Sequence, residues 1–288
     1  MIIIENENLK AVISPLGAEL QSLFNKKTGI EHMWSGDANY WGKHSPVLFP
    51  IVGALKNDTY YYNDKPYSLP RHGFARERTF LQDQISKEEA VFTLTQDAES
   101  LAVYPFAFTL KLHYKLQNDS LTCTYEVLNT GYTELLFSVG GHPAFAVPMV
   151  PQSVYTDYYL EFNNSAALYR WKLEEGLIAA NAVLLPTTGM KLFLQQELFY
   201  ADAIVLKSMP ANAIKLASNK HGHGLIFTFE NFPFFGIWAA KNAGFVCLEP
   251  WCGIADSVNS NQQLVNKEGI ITLAINTQWQ RNWRVKCF

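Results

Sequence analysis

The strongest constraint on how this chain can fold is a run of strict alternation near its middle. Apolar residues fall at Phe106, Phe108, Leu110, Leu112, Tyr114 and Leu116, and after Asn118-Asp119-Ser120 they resume at Leu121, Cys123, Tyr125 and Val127. Side chains on a strand alternate between faces, so this pattern specifies a long β-hairpin with one buried face and excludes an amphipathic helix. The same period recurs toward both ends. Residues 2–4, 9–13 and 19–24 read as short strands broken by Glu5-Asn6 and by Pro15-Leu16-Gly17. Residues 59–62 and 66–68 form a hairpin across Asn63-Asp64, and 224–229, 234–239, 245–249, 269–275 and 279–285 supply further strands. Helical candidates are few and short, such as residues 195–199. Many strands joined by connections carrying Gly, Pro and aromatics predict an all-β protein, a large antiparallel β-sandwich of two sheets.

Composition sets the limits of that sandwich. With 48% hydrophobic and only 17% charged residues there is material for a large core, and no segment has the polar, highly charged character of disorder. Strand patterning continues on both sides of the proline-bearing residues 148–155, which predicts one domain over residues 1–288. A net charge of −3 without a Lys/Arg run disfavours nucleic acid and anionic membranes as partners. The opening Met1-Ile2-Ile3-Ile4-Glu5 has no basic stretch, and no apolar run reaches the length of a membrane span, so a cytoplasmic location is expected. Cys123, Cys247, Cys252 and Cys287 show no redox or zinc-ribbon spacing and are expected to be reduced and buried. There is no glycine-rich phosphate loop or serine nucleophile elbow. His221-Gly222-His223 reads as a solvated turn, so neither metal nor cofactor is expected.

Three stretches resist explanation as strands and turns. In Ser138-Val139-Gly140-Gly141-His142-Pro143-Ala144-Phe145 the glycines are expected to supply unusual backbone freedom, and Pro143 restricts His142, so the imidazole is aimed. An aimed histidine can give or take a proton near neutrality. In Phe245-Val246-Cys247-Leu248-Glu249-Pro250-Trp251 a carboxylate ends an apolar strand. Desolvation there raises its pKa toward the range of a general base, and Trp251 offers a face that suits the C–H side of a sugar. In Pro70-Arg71-His72-Gly73-Phe74-Ala75-Arg76 two arginines flank a histidine.

Taken together, Arg71-His72-Gly73-Phe74-Ala75-Arg76, Gly140-Gly141-His142-Pro143-Ala144-Phe145 and Leu248-Glu249-Pro250-Trp251-Cys252-Gly253 resemble the aldose 1-epimerase (galactose mutarotase) superfamily, and within it the bacterial LacX-like branch. The resemblance implies a large antiparallel β-sandwich and a cofactor-free interconversion of the α and β anomers of an aldohexose or hexose phosphate. It assigns Glu249 as the base that takes the C1 hydroxyl proton, His142 as the acid that protonates the ring oxygen, and His72 as a group that hydrogen-bonds the sugar near that oxygen and steadies the developing charge. By the same resemblance Asp202 holds sugar hydroxyls, with Trp251 and Phe145 as aromatic cover. The family commonly has an arginine where this chain has Ala54, so Lys56 or Arg76 is expected to supply a cation, and Arg71 and Arg76 leave a phosphorylated sugar open. A small-molecule sugar is the expected partner, with the protein a monomer or homodimer. Two other readings stand beside this one. A glycoside hydrolase or lyase would need two carboxylates, Glu249 with Asp202, Asp256 or Glu230, and a non-catalytic sugar-binding or sensing protein would leave proton transfer idle.

Overall fold

In the computed structural model, which describes residues 1–288, the central hairpin forms as its alternation demands. Strands Phe108–Gln117 and Ser120–Asn129 pair with Gln117 opposite Ser120, so the turn closes on Asn118-Asp119, one residue tighter than expected. Asn118 takes φ 54°, a left-handed value that asparagine tolerates. Leu110, Leu112, Tyr114 and Leu116 are buried, while Lys111 and His113 between them face outward.

This hairpin lies within a nine-stranded antiparallel sheet ordered Lys191–Phe193, Tyr158–Phe162, Ala213–Ser218, Gly224–Thr228, Gln278–Cys287, Ser120–Asn129, Phe108–Gln117, Glu89–Thr95 and Leu81–Gln84. A second, eight-stranded sheet runs Leu177–Leu184, Tyr169–Glu174, Ile204–Lys207, Phe234–Trp238, Phe245–Cys252, Val139–Gly141 and Val47–Leu48, with Ala144–Ala146 as a further partner of Phe245–Cys252. Ring contacts join the facing surfaces: Phe229 to Phe235 at 4.3 Å, Phe49 to Phe108 at 4.9 Å and Phe145 to Phe227 at 5.9 Å between centroids. One continuous cluster of 73 buried apolar residues fills the space between, which makes the two sheets a sandwich.

Smaller elements close the edges. A four-stranded sheet takes Ile2–Glu5, Leu9–Ser14, Glu19–Asn25 and Ile30–Glu31. The hairpin Thr59–Tyr62 with Lys65–Ser68 turns on Asn63-Asp64, both left-handed at φ 49° and 60°, as a two-residue turn of matched twist requires. The expected helix near residue 195 is a single 3₁₀ turn, Gln196–Phe199, and the strand expected over 269–275 shrinks to Ile271–Leu273. The one α-helix, Ala98–Val103, is capped by Asp97, whose carboxylate accepts the Ser100 N–H. No helix is long and apolar enough to cross a membrane.

The glycines before His142 have a different role from the one expected. Neither Gly140 nor Gly141 adopts a left-handed backbone. A Cβ at Gly141 would lie 2.5 Å from Tyr125 Oη and 3.0 Å from Trp283 Nε1 in the facing sheet, and one at Gly140 would lie 2.6 Å from the Trp251 indole on the other side. They thin the sheet on both faces at the point where the chain delivers His142.

Candidate active site

The register of two strands brings the acid and base candidates together. Gly140 pairs with Trp251 and Ala144 with Cys247, so the same register carried through the interruption at Pro143 sets His142 opposite Glu249. Directly opposed residues on one face are close, and here His142 Nε2 stands 3.2 Å from Glu249 Oε2. On its other side Glu249 pairs with Gly236. A Cβ at Gly236 would lie 2.5 Å from Trp251, so Gly140 and Gly236, on the two strands flanking Trp251, clear the room for its indole. Trp41 and Trp238 enclose His142 at ring-centroid distances of 5.0 and 5.6 Å.

His72 arrives from a turn rather than a strand. Its backbone is left-handed, φ 71°, followed by Gly73 at φ 70°. Its N–H donates to the Gly53 carbonyl, its carbonyl accepts from Phe49, and its Nδ1 accepts the Gly53 N–H at 3.1 Å. A backbone N–H can only donate, so Nδ1 carries no proton and the ring hydrogen sits on Nε2. Burial, then the neighbouring His142, Arg71 and Arg76, hold this imidazole well below its ordinary pKa, so it stays neutral. His72 is therefore a fixed hydrogen-bond donor, set edge to face with His142 at 5.8 Å.

Burial moves the facing pair in opposite directions. Glu249 is 1% exposed and its carboxyl is raised well above the usual range by desolvation, with Asp202 adding to the shift and Arg71 and the Trp251 indole opposing it. His142 is lowered to about 3, again by desolvation first. Across neutral pH the pair, 3.2 Å apart, thus holds one proton, and the dry surroundings favour its uncharged arrangement.

These side chains open onto a cavity of about 660 Å³, a size suited to a small molecule. Arg71, Arg76, Tyr200 and Asp202 also line it, and Trp251 forms part of its wall. Arg71 Nη2 is 3.8 Å from Asp202 Oδ1, and Arg76 Nη2 donates to the Arg71 carbonyl at 3.0 Å.

The match to known proteins is consistent over the whole chain. The family model described as aldose 1-epimerase matches residues 1–280. The chromosomal LacX protein of Lactococcus lactis is 33% identical over 274 residues, covering 92% of this chain and 91% of that protein. The chain belongs to the aldose 1-epimerase family. Its fold is that of a galactose mutarotase related enzyme from Lactobacillus acidophilus (TM-score 0.95, 35% identity, 100% of this chain and 97% of that one). A galactose mutarotase-like protein from Lactobacillus casei superposes equally well (TM-score 0.94, 32% identity, both chains covered in full).

Within this epimerase-family cavity seven of the nine residues expected at the site come together: Glu249, His142, His72, Arg71, Arg76, Asp202 and Trp251. Two do not. Phe145 is fully buried on the opposite face, against Phe227 of the nine-stranded sheet, because it is an odd number of residues along the strand from the cavity side. Lys56 is half-buried off the cavity wall and donates its ammonium to the Val258 carbonyl at 2.9 Å, so it does not stand in for the family's arginine at Ala54. In the turn His221-Gly222-His223, expected to be solvated, Gly222 is exposed but the two histidines are half-buried: His221 Nε2 meets Tyr158 Oη at 2.9 Å. Sequence reading missed Trp41, Trp238, Leu173, Gly176, Ile178 and Tyr200. Trp238 was within reach, since it lies in an expected strand two residues beyond Gly236, the cross-strand partner of Glu249, and so shares its face. Trp41 sits in an irregular segment that carries no periodic signal.

Proposed function

We propose that this protein is an aldose 1-epimerase that opens and closes the ring of an aldohexose, such as galactose or glucose, or of its phosphate. The observation that carries the reading is the 3.2 Å pairing of His142 and Glu249 at the base of the cavity. Mutarotation acts on two oxygens bound to one carbon, so its acid and base must stand within reach of neighbouring atoms. Glu249 takes the C1 hydroxyl proton, C1=O forms as the C1–O5 bond breaks, and His142 delivers its proton to O5. The reacting arrangement is carboxylate and imidazolium, the less populated form of the resting pair, and the step ends with carboxyl and imidazole, so the proton count is unchanged. Desolvation favours the second arrangement and thereby assists opening. His72 donates its Nε2–H to the ring oxygen as charge develops there. Rotation about C1–C2 and the reverse transfers close the ring on the other face.

A hydrolase is less well supported. Its carboxylates would stand roughly 5–10 Å apart across one bond. Asp256 is taken by Lys267 at 2.8 Å, Glu230 is exposed, and Asp202 accepts the Ala203 N–H beside Arg71. Arg71 and Arg76, both on the cavity wall, favour substrates with an anionic substituent or vicinal hydroxyls. Saturation-transfer NMR between the α and β anomers of galactose, glucose and their 6-phosphates tests the proposal. Exchange above the buffer rate for at least one sugar is expected; sugar binding with no catalysed exchange for any of them would replace the enzyme with a sensor.

A further inference from the structure

Packed against the acid–base pair, and itself fully buried, is a group that mutarotation does not use. Cys247 lies two residues before Glu249 on the same face of its strand, and its Sγ, a His142 ring nitrogen and a Glu249 carboxylate oxygen all lie within 4.8 Å of one another. We propose that this trio is a three-ligand site for a thiophilic divalent cation such as Zn²⁺, and that its occupation switches off the enzyme.

Tetrahedral Zn²⁺ with a sulfur at about 2.3 Å and nitrogen or oxygen at about 2.0–2.2 Å separates its ligand atoms by roughly 3.5 Å. His142 and Glu249 already stand at 3.2 Å, so only the sulfur has to close in, by about 1 Å of side-chain rotation. Charge favours the site as well as distance. A cation buried here meets one thiolate and one carboxylate, which cancel its two charges, while a neutral imidazole supplies the third ligand. Binding releases the thiol proton and the proton shared by His142 and Glu249, so Zn²⁺ replaces two protons without changing the charge of the cavity. His142 and Glu249 line the cavity, so an ion has a route in from it. The other three cysteines are buried away from any such grouping. The nearest competitor, His221 with His223, has one His221 nitrogen facing Tyr158 Oη and the other accepting the His223 N–H.

Binding is independent of the mutarotase reading; inhibition rests on it, since a metal on His142 and Glu249 occupies both proton-transfer groups. The full-length protein is titrated with Co²⁺ as a spectroscopic probe and with Zn²⁺ by calorimetry, and anomer exchange is followed in parallel. One equivalent of Co²⁺ is expected to give a thiolate-to-metal charge-transfer band that Zn²⁺ displaces, and Zn²⁺ is expected to abolish exchange. Cys247→Ala should keep the exchange rate, lose the band and bind Zn²⁺ at least tenfold more weakly. Cys247→Ser, closer in size and polarity, should also lose the band, and Cys252→Ala should retain it. Absence of the band in the wild type, its survival in both Cys247 variants, or equal Zn²⁺ affinity in wild type and Cys247→Ala would overturn the site. Were the protein to show no anomer exchange at all, the spectral and calorimetric results would still decide the binding claim.

Discussion

The two sheets of the sandwich are built from the same alternating chemistry but used differently. In the nine-stranded sheet the strand Phe108–Gln117 alternates buried and outward residues, and its outer face carries ordinary surface pairs such as Lys115 with Glu89 at 3.0 Å. In the eight-stranded sheet the strand Phe245–Cys252 is buried at all eight positions. One of its faces packs on the shared core, and the other presents Glu249 and Trp251 to the cavity, where Trp251 joins a second, smaller set of buried residues. A carboxylate on the first sheet stays in contact with water and behaves as a surface ion pair. On the second, Glu249 is desolvated and its carboxyl is raised well above the usual range.

That contrast can be broken or sharpened by mutation. The largest effect on stability is expected in the nine-stranded sheet: Leu112→Ala should cost about 2–5 kcal/mol in denaturant unfolding and leave the turnover of the folded fraction unchanged. A change in KM or kcat would show that the first sheet also shapes the site. Gly140→Ala should cost about 1–3 kcal/mol, because its methyl meets the Trp251 indole, and should also weaken sugar binding. Gly222→Ala, with open space around it, should do neither. Smallest is Lys115→Ala on the outer face, which removes the pair with Glu89 and should cost about 0.2–1 kcal/mol in a salt-dependent way.

The pH profile separates the sheets in another way. His142 is lowered from its ordinary 6.5 to about 3, so an unfolded chain binds a proton there that the folded one does not, and stability falls as pH drops from 6.5 toward 3. Glu249 is raised, so the folded chain holds a proton that the unfolded one releases, and stability falls as pH climbs above 4.5 toward the raised value. Between these limits the pair keeps its single proton, with His72 neutral beside it. In chelated buffer kcat/KM is therefore expected to be level through pH 6.5, and an inflection there would mark a solvated histidine.

Much of this was legible in the residues, but unevenly. The Phe108–Gln117 hairpin could be read because one face is wet. The hairpin of Tyr169–Glu174 with Leu177–Leu184 went unread because its strands alternate only weakly and are largely exposed on both faces, yet its turn at Glu175-Gly176 brings Leu173, Gly176 and Ile178 to the cavity. His142, His72 and Glu249 were found by motif, while their proximity depended on register, which the sequence carries only in the spacing around Pro143. Lys56 was misplaced because a lysine's position on the chain says nothing about which carbonyl its ammonium will reach. The paired glycines were assigned conformational freedom when their function is thinness, a property that exists only once Trp251 and Tyr125 are in place on either side.

The central claim, that the eight-stranded sheet turns His142 and Glu249 into a proton-transfer pair, is tested most directly by anomer exchange rates in wild type, Glu249→Gln and His142→Asn at matched folded concentration. Each substitution is expected to lower the catalysed rate by about 10²–10⁴ with the fold intact, while Glu126→Gln on the nine-stranded sheet leaves it unchanged. Equal rates in all four proteins would contradict the account.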